Sequence, residues 1–261
     1  MAGKQVPFDY SVETTPALAA SERRTLTIRT QADSYFVVTA LVGLSTLAGG
    51  AAGDCNVLIG DDTIGAIWCN DPANGVRFNN IVGTAQRPAW LTEKIVLNPN
   101  TTLTVTLVNL SAILANTVQV VFMGYKCLDT SQEPLPEQKT GAGGRRKRWF
   151  QYVSNKILLA SNRDTDQIRV QADSFFVAQQ MVSVQTGIWR GRLEDSGSGR
   201  RWQDNLIRNA NLAGTAQFPT WLRPPYTINP AATLQVETED LSVAGNTVQV
   251  VLNGYKQFLA A

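Results

Sequence analysis

The sequence predicts an all-β chain of two tandem antiparallel β-sandwich domains, jelly-roll-like and related by internal duplication. Three observations predict this fold. Segments of the first half recur in the same order in the second half, and apolar residues alternate with polar ones at a period of two along them. No stretch keeps the i, i+3, i+4, i+7 apolar spacing of an amphipathic helix over three turns. An eight-stranded jelly roll fits each copy, and an immunoglobulin-like sandwich is the alternative.

The duplication rests on three pairs of near-identical segments, with 6 of 7, 7 of 9 and 9 of 11 positions identical. They are QADSYFV at 31–37 and QADSFFV at 171–177, GTAQRPAWL at 83–91 and GTAQFPTWL at 214–222, and NTVQVVFMGYK at 116–126 and NTVQVVLNGYK at 246–256. Each copy has the size of an independent domain and is far longer than a solenoid repeat. Two copies of one domain are therefore expected.

A linker is predicted over residues 131–156. This segment contains two prolines, a Gly-rich run at 141–144, and six basic residues against two acidic ones. The first sandwich is then expected over 1–130 and the second over 157–261. The best candidate for a helix lies at the end of the linker, over 149–160.

Composition excludes several classes of chemistry. Histidine is absent, so Ser-His-Asp and Cys-His catalysis and His-ligated zinc or haem are excluded. The formal net charge of +2 argues against contact with nucleic acid through a strong overall field. Three cysteines without CxxC spacing, Cys55, Cys69 and Cys127, are predicted to be buried thiols in a reducing compartment. We expect no enzyme activity, no cofactor and no metal.

One uncharged stretch, residues 34–53, is long enough to be a candidate membrane span. It is rich in Gly, Ala, Ser and Thr, and its counterpart in the second copy contains Gln179, Gln180 and Gln185, so a lipid-buried helix fits poorly. The first twenty residues lack the pattern of a signal peptide. The sequence therefore predicts a soluble protein with no membrane contact.

The repeated motifs place the same residue types at equivalent positions, for which we predict structural roles. An Asp before Ser in a turn is expected to cap backbone N–H groups between strands. A Trp in an apolar frame is expected to close the end of a sandwich, with a ligand-stacking platform as the alternative. The positions are Asp33, Asp173, Gln86, Gln217, Trp90, Trp221, Tyr125 and Tyr255.

Carboxylates occur in pairs, which is the arrangement that glycoside hydrolysis uses. None of the pairs falls at equivalent places in both copies, so solvated loop charges are the preferred interpretation. The pairs are Asp61–Asp62, Glu194–Asp195 and Glu239–Asp240. Calcium binding by Asp54, Asp61, Asp62 and Asp71 is an alternative, but their spacing is not that of an EF-hand.

The one dense basic cluster, Arg145, Arg146, Lys147 and Arg148, is followed by Trp149. Such a cluster binds phosphate groups or serves as a localisation signal in some proteins. The preferred interpretation is a linker that contacts an acidic surface on a neighbouring protein. Arg200–Arg201–Trp202 is a weaker version of the same pattern.

The closing segment of each copy, 97–126 and 228–256, resembles jelly-roll structural proteins of bacteriophage virions. The shared features are a Pro, a Thr/Val-rich strand, Asn-Leu-Ser (Asp-Leu-Ser in the second copy), and a Val-rich strand that ends in Gly-Tyr-Lys, as in LNPNTTLTVTLVNLSAILANTVQVVFMGYK. The resemblance covers about a quarter of each copy and implies a capsid-associated role. It carries over no catalytic residue.

The expected function is that of a non-enzymatic virion structural protein, namely a minor capsid, decoration or head-to-tail component that acts through protein–protein contacts. Its expected partners are other virion proteins and further copies of itself, in a virion assembled after synthesis in the host cytoplasm. One alternative is a double-jelly-roll major capsid protein. Another is a glycan- or receptor-binding virion module that uses Trp90 and Trp221, and a polysaccharide-degrading enzyme is the least favoured.

Overall fold

The computed structural model describes residues 5–128 and 146–259, and the chain divides into two compact units, 1–139 and 140–261. The described part of the first unit contains nine strands and one short helix. They are β1 (Gln5–Glu13), β2 (Arg23–Arg29), β3 (Tyr35–Leu47), β4 (Cys55–Asp61), β5 (Ala66–Ile67), β6 (Val76–Arg77), α1 (Phe78–Ile81), β7 (Ala89–Leu97), β8 (Thr102–Asn109) and β9 (Asn116–Cys127).

The first unit is a jelly roll. One sheet has the strand order β1-β9-β3-β7 and the other β2-β8-β4-β5, with β6 also on β4, and every strand pair is antiparallel. Successive strands mostly alternate between the two sheets, and the last strand lies beside the first. This is the eight-stranded jelly-roll order rather than the immunoglobulin order, so the immunoglobulin-like alternative is wrong.

The second unit repeats this architecture strand for strand. Its elements are β10 (Lys147–Leu158), β11 (Arg163–Arg169), β12 (Ser174–Gln185), β13 (Trp189–Asp195), β14 (Arg200–Arg201), β15 (Ile207–Arg208), α2 (Asn209–Leu212), β16 (Thr220–Ile228), β17 (Thr233–Asp240) and β18 (Asn246–Phe258). The sheet orders are β10-β18-β12-β16 and β11-β17-β13-β14, with β15 on β13. The predicted tandem β-sandwiches related by duplication are confirmed.

Each core lies between the two sheets of its unit and follows the period-two pattern. Along β9, Val118, Val120 and Phe122 are buried. Equivalent aromatic pairs fill both cores edge to face, with ring centroids 4.8 Å apart for Tyr10–Phe36. In the second unit the matching pair is Tyr152 on β10 and Phe176 on β12, whose ring centroids are 4.7 Å apart. The duplication therefore preserved the packing as well as the strand order.

The predicted boundary of the second domain is corrected by β10, which begins at Lys147. The last ten residues of the predicted linker 131–156 belong to this strand, and the predicted helix 149–160 is the strand and the turn that follows it. Residues 149–154 are all buried, so both faces of the strand are apolar or uncharged, and the alternation that would predict a strand is hidden. Residues 131–145 of the predicted linker lie outside the described part.

The uncharged stretch 34–53 is explained by β3, which lies between β9 and β7 in the middle of its sheet. Most of its residues are buried, on both faces. A strand enclosed in this way has no charged face. Within residues 5–128 and 146–259, no helix is long and apolar enough to cross a membrane.

A β-bulge at the same place in both units dictates the glycine of the Gly-Tyr-Lys motif. The register of β3 shifts between Val38 and Ala40, and that of β12 shifts at the equivalent position. A Cβ atom on Gly124 would lie 2.0 Å from the Val37 carbonyl oxygen, and one on Gly254 would lie equally close to the partner strand. Only glycine allows this approach of two backbones.

The lysine of the same motif is buried in both units. In the second unit Lys256 Nζ donates to the side-chain oxygen of Gln171 and lies 4.0 Å from the ring centroid of Phe150. The backbone N–H of Gln171 in turn donates to the Tyr152 hydroxyl at 3.0 Å. Lys126 and Gln31 make the same contact in the first unit. The Gln-Ala-Asp-Ser turn is thus fixed to the last strand of each jelly roll.

Replacing Lys256 by Met is expected to change how stability depends on pH. Burial lowers the pKa of Lys256 to about 8, whereas an unfolded lysine titrates near 10.4. The unfolded chain therefore binds more protons between these values, and the free energy of unfolding contributed by this group rises as pH increases from about 8 to about 10. Urea unfolding at several pH values measures this rise, which Lys256→Met should remove and the exposed-site control Lys94→Met should keep. An unchanged pH dependence in Lys256→Met would contradict the assignment.

Candidate functional site

Three loops meet at one end of the second unit and are held there by two buried polar side chains. The loops are 159–162, 186–188 and 241–245. The Asn246 side-chain oxygen accepts hydrogen bonds from the backbone N–H groups of Thr186, at 3.1 Å, and Gly187, at 2.8 Å. The Asp240 carboxylate accepts one from the Ser161 N–H at 3.1 Å, and Asn246 Nδ2 donates to it at 3.2 Å. The backbone of this end is therefore fixed rather than loosely held.

The electrostatics of Asp240 favour the charged, hydrogen-bonded form. Burial by itself raises the pKa of this carboxyl. Hydrogen bonds from the Ser242 hydroxyl, the backbone N–H groups of Ser161 and Ser242, and Asn246 outweigh burial and lower the pKa below its usual value. The carboxylate that organises the loops is consequently ionised at neutral pH.

Apolar side chains project into solvent from this fixed framework. Val243 is 100% exposed, and four further aliphatic residues on the loops and strand ends at this end of the unit are also exposed. We call this set tip 2: Ile157, Leu159, Ile188, Leu241 and Val243. A cluster of exposed aliphatic residues on a rigid loop end is typical of a protein-contact surface.

The first unit has an equivalent end. Asn109 and Asn116 are buried, and Asn109 Nδ2 donates to the carbonyl oxygens of Ala19 and Leu114, both at 2.8 Å. The exposed aliphatic residues of this end, which we call tip 1, are Leu110, Ile113 and Leu114, with Ile113 83% exposed. The same construction therefore occurs twice in one chain. Neither tip was predicted from the sequence, although Ile113 and Val243, the most exposed residue of each, come just after the Leu-Ser pair of the resemblance motif.

The repeated tryptophans lie on edge strands with their side chains in solvent. Trp90 is 60% exposed on β7 and Trp221 is 49% exposed on β16. The prediction that they close the ends of the sandwiches is wrong. The neighbouring Ala89 is buried, and side chains alternate along a strand, so Trp90 must face outward.

The motif before each tryptophan is a tight hairpin. The Gly83 N–H donates a hydrogen bond to the Leu41 carbonyl oxygen on β3 at 3.1 Å. The Gly83 carbonyl oxygen accepts one from the Gly43 N–H, also on β3, at 3.0 Å. Thr84 and Arg87 then exchange two backbone hydrogen bonds at 3.0 Å. Gln86, and Gln217 at the equivalent place in the second unit, occupy the turns that these bonds close.

The repeated Asp and Tyr residues have local partners. Asp33 accepts a hydrogen bond from the Ser34 hydroxyl at 2.8 Å, and Asp173 accepts one from Ser174 at the same distance. Tyr125 is contacted by the Lys94 ammonium group, with Nζ 3.4 Å from the hydroxyl oxygen. The Tyr255 ring lies 4.6 Å from the ammonium nitrogen of Lys147.

Part of the basic cluster that was predicted to contact a partner lies within strand β10, so not all of its residues are available for such a contact. Arg145 lies outside the described part, and Arg146 is exposed just before β10. The guanidinium group of Arg148 lies 5.2 Å from the ring centroid of Phe258. Trp149 is 3% exposed, so its assignment to a partner contact is wrong.

The prediction that the paired carboxylates are solvated loop charges at non-equivalent places is wrong. Asp61, Asp195 and Asp240 are buried, and Asp61 and Asp195 occupy the same position at the ends of β4 and β13.

The paired carboxylates are engaged in turns and ion pairs. Asp61 accepts a hydrogen bond from the Thr63 N–H at 2.9 Å. Glu194 binds Arg201 at 2.8 Å, and Glu239 binds Arg190 at 2.7 Å. Where the structure describes the chain, no three Cys, Asp or Glu side chains are grouped as a metal site would require.

The three cysteines are free and buried, as predicted. Burial raises the pKa of Cys55 to about 12 and that of Cys69 to about 11. Thiolate, the reactive form, is therefore suppressed at both sites.

Comparisons with known proteins find similarity in fold without similarity in sequence. No protein-family model matches the sequence, and no curated protein does. The STIV MCP is 9% identical with a TM-score of 0.45, over 95% of this chain and 96% of that one. N-glycanase F (PNGase F) is 9% identical with a TM-score of 0.43, over 97% of both chains. A chain of Sulfolobus Turreted Icosahedral Virus is 11% identical with a TM-score of 0.27, over 99% of this chain and 61% of that one. Scores this low carry no information about what this chain binds or does.

Proposed function

We propose that the chain is a non-enzymatic structural subunit of a virus particle and acts through protein–protein contacts. The observation that carries the proposal is the pair of tips, in which buried Asp and Asn side chains fix loops whose aliphatic residues face solvent. Exposing apolar residues on a fixed backbone serves association, because little conformational entropy is lost when a partner covers them. The resemblance of residues 97–126 and 228–256 to phage virion proteins supports the same role.

Two tips on one chain make each molecule at least bivalent. A bivalent subunit forms closed rings or extended lattices rather than isolated pairs, as repetitive particles require. We therefore propose that the partners are further copies of this chain and other virion proteins, with the basic residues around Arg146 on an acidic neighbour. The location is the virion, after synthesis in the host cytoplasm.

Within this class we propose a capsid-associated component of a bacteriophage, of the minor capsid, decoration or head-to-tail type. A double-jelly-roll major capsid protein is the alternative, and it is favoured by the two complete jelly rolls. Copy number separates a head-to-tail component, present in about a dozen copies, from a shell or decoration protein, present in hundreds.

Sedimentation velocity over a range of protein concentrations tests the proposed role. The purified chain is expected to form oligomers whose population grows with concentration. A protein that stays monomeric up to the highest soluble concentration would contradict the proposal.

Glycan binding is a second candidate function, favoured by the exposed tryptophans at equivalent edges of both units. A solvent-facing indole offers an apolar platform for a sugar ring. Double replacement Trp90→Ala and Trp221→Ala should abolish binding on a glycan array. A wild-type protein that binds no glycan, or a variant that binds as well as wild type, would exclude this function.

The same double variant also tests the exposure of the tryptophans. Because both side chains are largely in solvent, the free energy of unfolding should fall by less than about 1 kcal/mol. Buried tryptophans would cost about 3–5 kcal/mol each. Thermal or urea unfolding of wild type and variant distinguishes these outcomes.

A further inference from the structure

A cavity of about 490 Å³ lies in the second unit between the β14 end of one sheet and the edge strand β16 of the other. Its volume is within the range of small-molecule sites. Three arginines contribute to its lining, Arg200 and Arg201 from β14 and Arg223 from β16. We call it the arginine pocket.

The charge of the arginine pocket is only partly neutralised. Arg201 is bound to Glu194, with Nε 2.8 Å from the carboxylate oxygen. Arg200 and Arg223 are exposed, and in residues 5–128 and 146–259 no carboxylate lies within ion-pair distance of either. Two guanidinium groups therefore remain available for an anion, and such groups bind carboxylate and phosphate through paired N–H donors.

The walls of the arginine pocket are aromatic and fixed. The rings of Trp202 and Tyr226 have their centroids 4.7 Å apart, and both residues pack against the core of the unit. The Tyr226 hydroxyl donates to the buried carboxylate of Asp195 at 3.0 Å. That carboxylate also accepts hydrogen bonds from the Gly197 N–H at 3.0 Å and the Ser198 hydroxyl at 2.8 Å, so it is engaged within the turn. The aromatic wall offers apolar surface to a ring beside the cations.

The first unit shows that the fold does not need these arginines. In the β13–β14 hairpin, Arg200 pairs with Asp195; in the matching β4–β5 hairpin the same register position is Ala66, paired with Asp61. Arg201 likewise corresponds to Ile67. Arg223 follows Trp-Leu in the repeated motif, where the first unit has Thr92. All three positive charges are therefore particular to the second unit and converge on one cavity.

We propose that the arginine pocket binds a small organic oxyanion, a carboxylate or phosphate group carried by a ring of monosaccharide or nucleoside size. Arg200 and Arg223 hold the anionic group, Gln203 supplies a neutral hydrogen-bonding group, and the Trp202–Tyr226 wall contacts the ring. The site is independent of the tips, so it stands or falls separately from the assembly role.

Calorimetric titration with two matched ligand pairs tests the proposal and distinguishes its two sources. Glucuronate against glucose represents a carboxylated sugar, and adenosine monophosphate against adenosine represents a phosphorylated nucleoside. The acidic member of at least one pair is expected to bind about tenfold or more tightly than its neutral partner. The pair that shows the difference identifies the source of the anion.

The control variants come from the chain itself. Arg200→Ala combined with Arg223→Thr installs the residues of the first unit and should weaken binding of the acidic ligand at least tenfold. Arg169→Ala, which removes an exposed arginine elsewhere in the second unit, should leave binding unchanged. Circular dichroism melting confirms that both variants fold. Absence of binding by both acidic ligands, equal binding of neutral ones, or undiminished binding by the double variant would overturn the proposal.

Discussion

Replacing Ile113 and Val243 together by Asp is expected to abolish self-association while both jelly rolls remain folded. Both side chains are almost wholly in solvent, so an aspartate there costs the folded monomer little. In a contact that covers the tip, the same aspartate buries an unpaired charge, which costs several kcal/mol of association free energy. Sedimentation velocity should show monomers at concentrations where the wild type is oligomeric.

The matched control for this variant adds the same charges away from the tips. Thr27→Asp and Thr227→Asp are exposed strand positions, one in each unit. This control is expected to associate like the wild type, with an equal unfolding midpoint for all three proteins. If the tip variant still associates, or if the control loses association equally, the tips are not the contact surfaces.

Gly254→Ala is expected to destabilise the second unit by about 3 kcal/mol. The added Cβ would lie 2.0 Å from the Val177 carbonyl oxygen and 3.0 Å from the Phe176 ring. To accept it, β18 and β12 must separate at the bulge, which weakens the sheet and the core beneath it. Urea unfolding measures the loss.

Gly245→Ala is the control, because among the described residues the one contact its Cβ would make is at 3.2 Å, to the Leu158 carbonyl oxygen. Its effect on the free energy of unfolding should be below about 1 kcal/mol. Similar losses in both variants would mean that the close approach at Gly254 is not what the motif protects.

The fold could be predicted because the two copies of the domain can be compared with each other position by position. Positions such as Val120 and Val250 are apolar and buried in both copies, whereas Thr104 and its counterpart Gln235 differ and are less buried, and this contrast identifies the core face. Where the contrast is missing the prediction was wrong. Both faces of β10 are buried over residues 149–154, so no alternation marks this part of the chain as a strand.

The candidate surfaces were harder to predict because exposure depends on tertiary structure. Trp90 lies among apolar residues in sequence, and only the edge position of β7 places it in solvent. From the sequence alone, Val243 is expected to be a core residue. In the structure it is exposed on a loop that Asp240 and Asn246 fix. The arginine pocket joins Arg200 and Arg223, which are 23 positions apart on different sheets.

Quantitative mass spectrometry of purified virus particles from cells that express this chain tests the central claim most directly. The account predicts that the chain copurifies with the particles in fixed stoichiometry, in about a dozen copies for a head-to-tail component or hundreds for a shell or decoration protein. Intact, infectious particles that contain none of this chain would contradict it.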